Sequence, residues 1–364
     1  MKGRERFIAA INNQKADRLP CQVHDWMSYY LKTTLGGKSD YEAYEFFDMD
    51  PVIYVTPKFT FSDKDKAKWV TRTSDGGTKD GIKTTKIEVT TPEGTMYATH
   101  QRNEITSWYT EHLIKTQKDF ELWKKYNPQP INVDWSPVIE AKNRIGDHGI
   151  VRSGYCGFGQ GSPWQDLAYM IGTEESIMLA MDEPDWMHYA LDTLLQKKLD
   201  IIQTGGKIEL DLVETGGGAG SSTVISPNMH TEFCLPYDQI QIKALHDQGT
   251  KVVYHLCGGF MPMLDIFSKN GADGLETMTP VSMGGDCVIS ECTERIGDKM
   301  FFIGGFDQNA GFEQGTPENA RKQVFDLHKA CPDGGFIVSP SDHFFYGNPE
   351  NIKAFVKAAK ECVY

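Results

Sequence analysis

Short runs of consecutive apolar residues recur along most of the chain, and stretches with helical spacing lie between many of them. Several of these runs are continuous rather than alternating, which is typical of strands that are buried on both faces. We interpret eight runs as strands, at residues 19–23, 51–55, 150–154, 210–214, 252–256, 273–277, 301–305 and 335–339.

The segments between the runs space their apolar residues three and four positions apart, as amphipathic helices do. The two such segments nearest the C-terminus begin with proline. The residues before these prolines, Thr316 and Asn348, are of types that are favoured at the N-cap position of a helix. Eight strands that alternate with helices predict a (β/α)8 barrel, and an open doubly wound sheet is the alternative. The predicted helices cover residues 173–181, 183–203, 229–248, 262–268, 317–329 and 349–360.

Residues 69–108 have a different pattern from the rest of the chain. They contain KTTKIEVTTPEGTMYATH, in which threonine and valine alternate around a TPEG turn, and an SDGG turn precedes it. Alternation around such turns is typical of antiparallel hairpins. We therefore predict one α/β domain over residues 1–364, a (β/α)8 TIM barrel with an N-terminal helical segment and a β-rich insertion at about 69–108.

Charge and cysteine usage narrow the functional classes. The net charge of −13 disfavours nucleic acids and anionic membranes as partners, because both attract positive surfaces. No apolar run approaches the roughly 20 residues of a membrane helix, and the N-terminus lacks the apolar core of a signal peptide, so we expect a cytoplasmic protein. The eight cysteines are scattered without a CxxC pair, which indicates reduced thiols.

One pair of residues suggests metal chemistry. The run at 252–254 is followed by His255, Cys257 and two glycines. Residues two apart in a strand point to the same face, so the imidazole and the thiol are expected side by side. Nitrogen and sulfur donors in this arrangement suit zinc. The sequence therefore predicts a metal site at the end of this strand.

Polar residues follow most of the other predicted strands, and in a barrel the catalytic groups lie at these C-terminal ends. The alternative explanation is that loops meet water there, and that the aromatic residues of the first loop are ordinary packing residues. The strand-end residues that we single out are His24, Asp25, Trp26, Tyr29, Tyr30, Glu214, His255, Cys257, Glu276, Asp307, Asp342 and His343.

These features also carry a family resemblance. The chain begins with RERFIAAINNQKADRLP, continues with Ser162–Pro163–Trp164, and closes with GGFDQNAGFEQGTPE and GGFIVSPSDHFFYGNPENIKAFVKAAK. Over its whole length it resembles the uroporphyrinogen decarboxylase superfamily, whose members are (β/α)8 barrels. The decarboxylases carry an arginine-rich motif after the first strand that binds substrate carboxylates. The corresponding loop here contains no arginine.

His255-x-Cys257-Gly258 instead resembles the zinc-dependent corrinoid methyltransferases of this superfamily, of the O-demethylase methyltransferase I kind. Their later cysteine ligand, just before the final helix, is replaced here by Ser341–Asp342–His343. Glu276 is our first choice for the third zinc ligand beside His255 and Cys257, and Asp342 and His343 are the alternatives.

The resemblance implies transfer of a methyl group from a methoxylated aromatic compound to the Co(I) of a corrinoid (cobalamin) carried on a partner protein. Methanol, methylamine or a thiol such as coenzyme M is an alternative methyl partner. A decarboxylase-like lyase and a non-catalytic binding protein are further alternatives, and a homodimer is left open. In this interpretation Glu214, Asp25 or His24 protonates the leaving oxygen, and the residues that contact the substrate are Trp26, Tyr29, Tyr30 and His343.

Overall fold

Parallel strands form the centre of the molecule in the computed structural model, which describes residues 1–156 and 161–364. The strands are β1 (Val52–Tyr54), β2 (Lys58–Phe61), β3 (Val70–Lys79), β4 (Ile82–Thr91), β5 (Gly94–Arg102), β6 (Ser107–Glu111), β7 (Pro130–Asp134), β8 (Ile150–Gly154), β9 (Leu212–Gly216), β10 (Lys251–His255), β11 (Gly274–Thr277), β12 (Phe301–Phe306) and β13 (Phe336–Pro340).

Seven of these strands form one parallel sheet in the order β1-β8-β9-β10-β11-β12-β13. The predicted first strand is reduced to a bridge in which Cys21 pairs in parallel with Val338 of β13. The backbone N–H of Gln22 donates to the carbonyl of Val338 at 3.0 Å. All eight predicted strand positions are thus occupied, and the prediction of a TIM-barrel fold is confirmed.

Helices follow most of the parallel strands. They are α1 (Gly3–Ile11), α2 (Ser28–Thr33), α3 (Asp40–Phe46), α4 (Asp63–Lys66), α5 (Gln117–Tyr126), α6 (Ser136–Ile145), α7 (Pro163–Ile171), α8 (Thr173–Asp182), α9 (Pro184–Gly205), α10 (Pro227–Phe233), α11 (Leu235–Asp247), α12 (Leu264–Phe267), α13 (Ile289–Ile296), α14 (Pro317–Ala330) and α15 (Pro349–Glu361). No helix in the described part of the chain is long and apolar enough to cross a membrane.

The helix predicted at residues 229–248 is in fact two helices, α10 and α11, that meet at Cys234. Pro236 explains the break. Its ring removes a backbone donor and clashes with the preceding turn of a continuous helix, whereas it fits the first turn of a new one. Apolar spacing alone does not distinguish the two cases, because both helices bury apolar residues in the interior of the protein.

The insertion forms an antiparallel sheet of four strands, β3-β4-β5-β6, and β2 pairs with β7 in a separate antiparallel pair. Val89 and Met96 of this sheet pack against Leu122 and Tyr126 of α5. One face of β4 and β5 is therefore anchored on the barrel's helical layer. The outer strand β3 is exposed along its whole length.

A partly buried ion pair connects α1 to the barrel. The guanidinium of Arg4 donates to both carboxylate oxygens of Asp211, at 2.8 and 2.6 Å, and the backbone N–H of Val151 donates to the same carboxylate at 2.9 Å. Burial alone would raise the pKa of Asp211, but these hydrogen bonds and the nearby Lys142 hold it below its ordinary value. Asp211 is therefore bound mainly in its ionised form.

We expect Asp211→Asn to lower the free energy of unfolding at pH 7 by about 1.5–3 kcal/mol, because charged hydrogen bonds contribute about this much. Since the folded-state pKa is depressed, the contribution is present above the ordinary pKa of about 4 and is lost as the pH falls through the folded-state value. Urea unfolding at several pH values tests this. Asp63→Asn, which removes an exposed pair with Lys66, is the control and should change little.

Candidate functional site

His255 and Cys257 face each other at the C-terminal end of β10. The Nε2 atom of His255 lies 2.9 Å from the Sγ atom of Cys257. The imidazole is buried and the thiol is partly exposed. Gly258, at φ +101°, turns the chain immediately afterwards, and a Cβ there would come within 2.8 Å of the hydroxyl of Thr223. This turn keeps the thiol at the open end of the strand.

The other ring nitrogen of His255 faces two carboxylates. Its Nδ1 lies 3.1 Å from Oε1 of Glu276 and 3.3 Å from Oε1 of Glu214. Nδ1 of His24 lies 2.9 Å from the same Glu276 oxygen. One potential ligand atom from each of these four buried residues lies within 4.8 Å of the others. The fold thus brings together the ends of β9, β10 and β11 and the loop after the first predicted strand.

Arg152 of β8 completes this cluster. Its Nη2 lies 2.9 Å from Oε2 of Glu214 and its Nη1 lies 2.6 Å from Oε2 of Glu276. The guanidinium is fully buried, and it binds the carboxylate oxygens that face away from the imidazoles. Two carboxylates therefore share one permanent cation, and their inner oxygens remain directed at His24 and His255.

The shifted pKa values follow from this arrangement. Burial alone would raise the pKa of Glu276, but Arg152 and His24 hold it well below its ordinary value. Burial alone would lower the pKa of His255, but Cys257 and Glu214 raise it well above its ordinary value. The cluster is electrically balanced when a guanidinium and an imidazolium face two carboxylates.

Arg152 is a residue of this cluster that was not predicted from the sequence. It lies inside the run at 150–154, which we interpreted only as a buried strand. An arginine in such a strand is itself a signal, because charged side chains are almost never fully buried without partners. The two glutamates that end neighbouring strands were the available partners.

Asp25 lies beside this cluster in an unusual backbone conformation. Its φ is +115°, a region that residues other than glycine rarely adopt and that concentrates at functional sites. Burial, with a smaller contribution from Asp40, raises the pKa of Asp25 to about 6. Its carboxyl group therefore exchanges a proton close to neutral pH, which a general acid requires.

His343 lies at the same end of the barrel. Its ring centroid is 4.9 Å from that of His24, and its buried Nδ1 has no hydrogen-bond partner among the described residues. Burial, together with His24, lowers the pKa of His343 to about 4. The ring is therefore neutral at pH 7. The neighbouring Asp342 is exposed, and its carboxylate accepts a hydrogen bond from the backbone of His343 at 2.7 Å.

The structure does not bring the predicted aromatic residues to this cluster. Trp26 is buried between Tyr30 and Phe47, with ring centroids 6.1 and 5.4 Å away. Tyr30 is fully buried in the same core. Tyr29 is partly exposed and packs edge-on against Tyr346 at 5.6 Å. Trp26 and Tyr30 thus make ordinary packing contacts, which was the alternative explanation for these residues.

The comparisons with known proteins agree with this fold. The uroporphyrinogen decarboxylase (URO-D) family model matches residues 99–362, which is more than half of the chain. The protein therefore belongs to this family, and the predicted superfamily is confirmed. A solved structure described as a methyltransferase from Methanosarcina mazei matches with a TM-score of 0.66 over 99% of both chains, at 15% identity, and supports the barrel fold.

Two curated relatives carry different names. The methylcobamide:CoM methyltransferase MtbA of Methanosarcina acetivorans is 26% identical over 40% of this chain and 40% of its own length. The uroporphyrinogen decarboxylase of Xanthomonas euvesicatoria pv. vesicatoria is 27% identical over 55% of this chain and 58% of its own length. The chain spans about half the length of these relatives. Their names describe two different activities.

Proposed function

We propose that this protein is a zinc-dependent methyltransferase that moves a methyl group from a methoxylated aromatic compound to the Co(I) of a corrinoid protein. The observation that carries the proposal is the convergence of a partly exposed thiol and an oriented imidazole at the barrel mouth. The similarity to a methylcobamide:CoM methyltransferase supports a corrinoid as the methyl carrier.

His255 Nε2 and Cys257 Sγ are the atoms that we assign as zinc ligands. A ligating histidine ordinarily donates its other ring N–H to a carboxylate, and Nδ1 of His255 faces Glu276 and Glu214. Glu276, predicted as the third ligand, lies on the opposite side of the ring from Cys257. We therefore assign it the role of orienting His255. Arg152 supplies one positive charge against these two carboxylates, so with a neutral imidazole the cluster keeps a net negative charge that favours a dication on the thiol side.

When bound, zinc supplies a Lewis acid that stabilises negative charge on the oxygen from which the methyl group leaves. Asp25 is our choice among the predicted acids for protonating that oxygen, because Glu214 is paired with Arg152 and His24 contacts Glu276. His343, whose buried Nδ1 has no hydrogen-bond partner among the described residues, stays the predicted polar contact to the substrate. Tyr29 is the predicted aromatic residue that retains an exposed surface.

A thiol methyl acceptor is the second candidate, and the name of the Methanosarcina acetivorans relative favours it. The decarboxylase activity of other relatives has less support from the site. A substrate with many carboxylates needs cations to bind it, and Arg152 is buried and already engaged with two glutamates.

The test is a methyl-transfer assay with a reduced corrinoid protein and a panel of methoxylated benzoates, methanol, methylamine and methylated thiols. Formation of methyl-cobalt is followed by absorbance. We expect methylation from a methoxylated arene and release of the corresponding phenol. Transfer only from or to thiols would support the second candidate. No transfer from any donor by zinc-loaded protein would contradict both.

Glu276→Gln is expected to weaken zinc binding by about 10–100-fold while the fold is retained, because outer partners of metal ligands have effects of this size. Competition with a chromogenic chelator measures the affinity. Glu209→Gln is the matched control, since Glu209 precedes β9 at the opposite end of the barrel and contacts Lys142. Equal affinity in the two variants would show that Glu276 does not orient His255.

A further inference from the structure

A cavity of about 420 Å³ lies beside the barrel mouth, between β2, α5 and α9. Small-molecule pockets typically occupy about 300–1,000 Å³, so its size suits one small ligand. Its lining includes neither His255 nor the carboxylates and arginine around it. We call it the lysine pocket and define it by Phe59, Phe61, Trp69, Trp123, Lys197 and Gln129.

The walls of the lysine pocket are aromatic and come from separate parts of the chain. Phe59 and Phe61 belong to β2, Trp123 belongs to α5, and Trp69 precedes the first strand of the insertion. Phe59 also stacks on Tyr155 at 6.2 Å, which fixes its ring. Several aromatic rings around one cavity favour a planar aromatic ligand, which can make stacked or edge-on contacts with them.

The lysines of the cavity are not equivalent. Lys198 forms an ion pair with Asp166 and donates to the carbonyl of Cys156 at 2.9 Å, and Lys66 lies 2.6 Å from Asp63. Lys197 instead places its ammonium 5.0 Å from the ring centroid of Trp123. No carboxylate in the described part of the chain forms an ion pair with it. Lys197 is therefore the cation that remains available to a ligand.

The environment of Lys197 favours an anionic ligand. Burial lowers its pKa to about 8, and Lys124 adds to this lowering, whereas Asp200 opposes it from beyond ion-pair distance. A cation held in a partly apolar cavity without a counter-ion gains more from an incoming anion than an exposed lysine does. Oε1 of Gln129, also in this wall, is buried and has no hydrogen-bond partner among the described residues.

The lysine pocket adjoins the barrel mouth. Gly154 and Thr56 line it, and they follow Arg152 and Tyr54 by two residues each. Two residues along a strand cover about 7 Å. Tyr54 in turn contacts Nδ1 of His24 through its hydroxyl at 3.2 Å. Two of the residues that line the pocket therefore lie about 7 Å along the chain from residues of the charged cluster or in contact with it.

We propose that the lysine pocket binds an aromatic carboxylate, with its ring between the aromatic walls and its carboxylate on Lys197. An aliphatic acid would leave the aromatic walls without a partner. A dianionic phosphate ester would require more free cations than one. The assignment of a substrate, unlike that of the pocket's ligand, rests on the proposed function. With that function, the substrates are methoxylated aromatic acids rather than neutral methoxyarenes.

Calorimetric titration with benzoate tests the pocket. The titration uses the Cys257→Ser variant, so that benzoate binding is measured in a protein that lacks the thiol proposed to hold zinc. Benzoate is expected to bind at least about tenfold more tightly than its neutral counterpart benzamide, because a charged hydrogen bond contributes this much. Acetate is expected to bind more weakly than benzoate. Lys197→Met should weaken benzoate binding about tenfold or more, and Lys197→Arg should retain it.

Lys322→Met is the control, since it removes one lysine charge from an exposed pair with Asp326 on α14. It should bind benzoate as the parent does. Absence of benzoate binding, equal binding of benzamide, or equal effects of the two methionine variants would overturn the proposal. If benzoate binds as expected but methoxylated benzoates are not demethylated, the pocket stands and the proposed function fails.

Discussion

Replacing Cys257 by serine is expected to abolish tight zinc binding and, with it, methyl transfer to a corrinoid protein. Serine keeps the size of the side chain but removes the thiolate that a zinc ion prefers. The loss should exceed the roughly 10–100-fold that changes to outer partners cause. Metal analysis after dialysis and the initial rate of corrinoid methylation are the two measurements.

Cys287→Ser is the matched control for this change. Cys287 is also partly exposed, but its contact is with Cys292 rather than with His255. It should keep both the zinc and the activity. If Cys257→Ser retained full activity with unchanged zinc content, the thiol would not be a ligand and the proposed chemistry would lose its basis.

Arg152→Met is expected to destabilise the protein more than loss of the Arg4–Asp211 ion pair does. It leaves the buried carboxylates of Glu214 and Glu276, both of which contact Arg152, with no permanent cation between them. Breaking one side of a buried ion pair costs about 3–5 kcal/mol, because the remaining charge has neither water nor a partner. Urea unfolding at pH 7 measures the difference in the free energy of unfolding.

A combined variant shows whether charge is the cause. Adding Glu214→Gln and Glu276→Gln to Arg152→Met removes the two unpaired carboxylates and should restore a large part of the lost stability. If the triple variant were as unstable as the single one, the loss would come from packing around the guanidinium instead. An Arg152→Met protein as stable as the parent would contradict the buried network itself.

The rule that catalytic groups follow barrel strands found most of the cluster from sequence. His24, Glu214, His255 and Glu276 each end an apolar run, and the parallel sheet brings those ends together. The rule works because it depends only on the fold class and on where each run stops. It does not give side-chain direction. The ligand role of Glu276 therefore stays a prediction: its Oε1 faces the Nδ1 atom of His255 and belongs to the group of four potential ligand atoms.

The roles of the first-loop aromatic residues could not be predicted in this way. Trp26 and Tyr30 pack against Phe47 and Phe344, which are distant in sequence. Nothing in the local pattern distinguishes an aromatic residue that lines a mouth from one that fills the core beneath it. The first strand was likewise shorter than its apolar run indicates, since only a bridge from Cys21 to Val338 forms there.

The lysine pocket was beyond sequence reasoning for a similar reason. Its residues come from β2, from the start of the insertion, and from α5 and α9. Lys197 and Lys198 are adjacent in sequence, yet one is paired with Asp166 and the other lies over Trp123. Only the tertiary packing of α9 separates their roles.

X-ray absorption at the zinc edge tests most directly whether Cys257 and His255 hold the metal. We predict that the zinc-loaded protein shows one sulfur neighbour at about 2.3 Å among lighter nitrogen or oxygen neighbours, and that Cys257→Ser removes it. A first shell without sulfur would contradict this assignment and would place the ion among His24, Glu214, His255 and Glu276 instead.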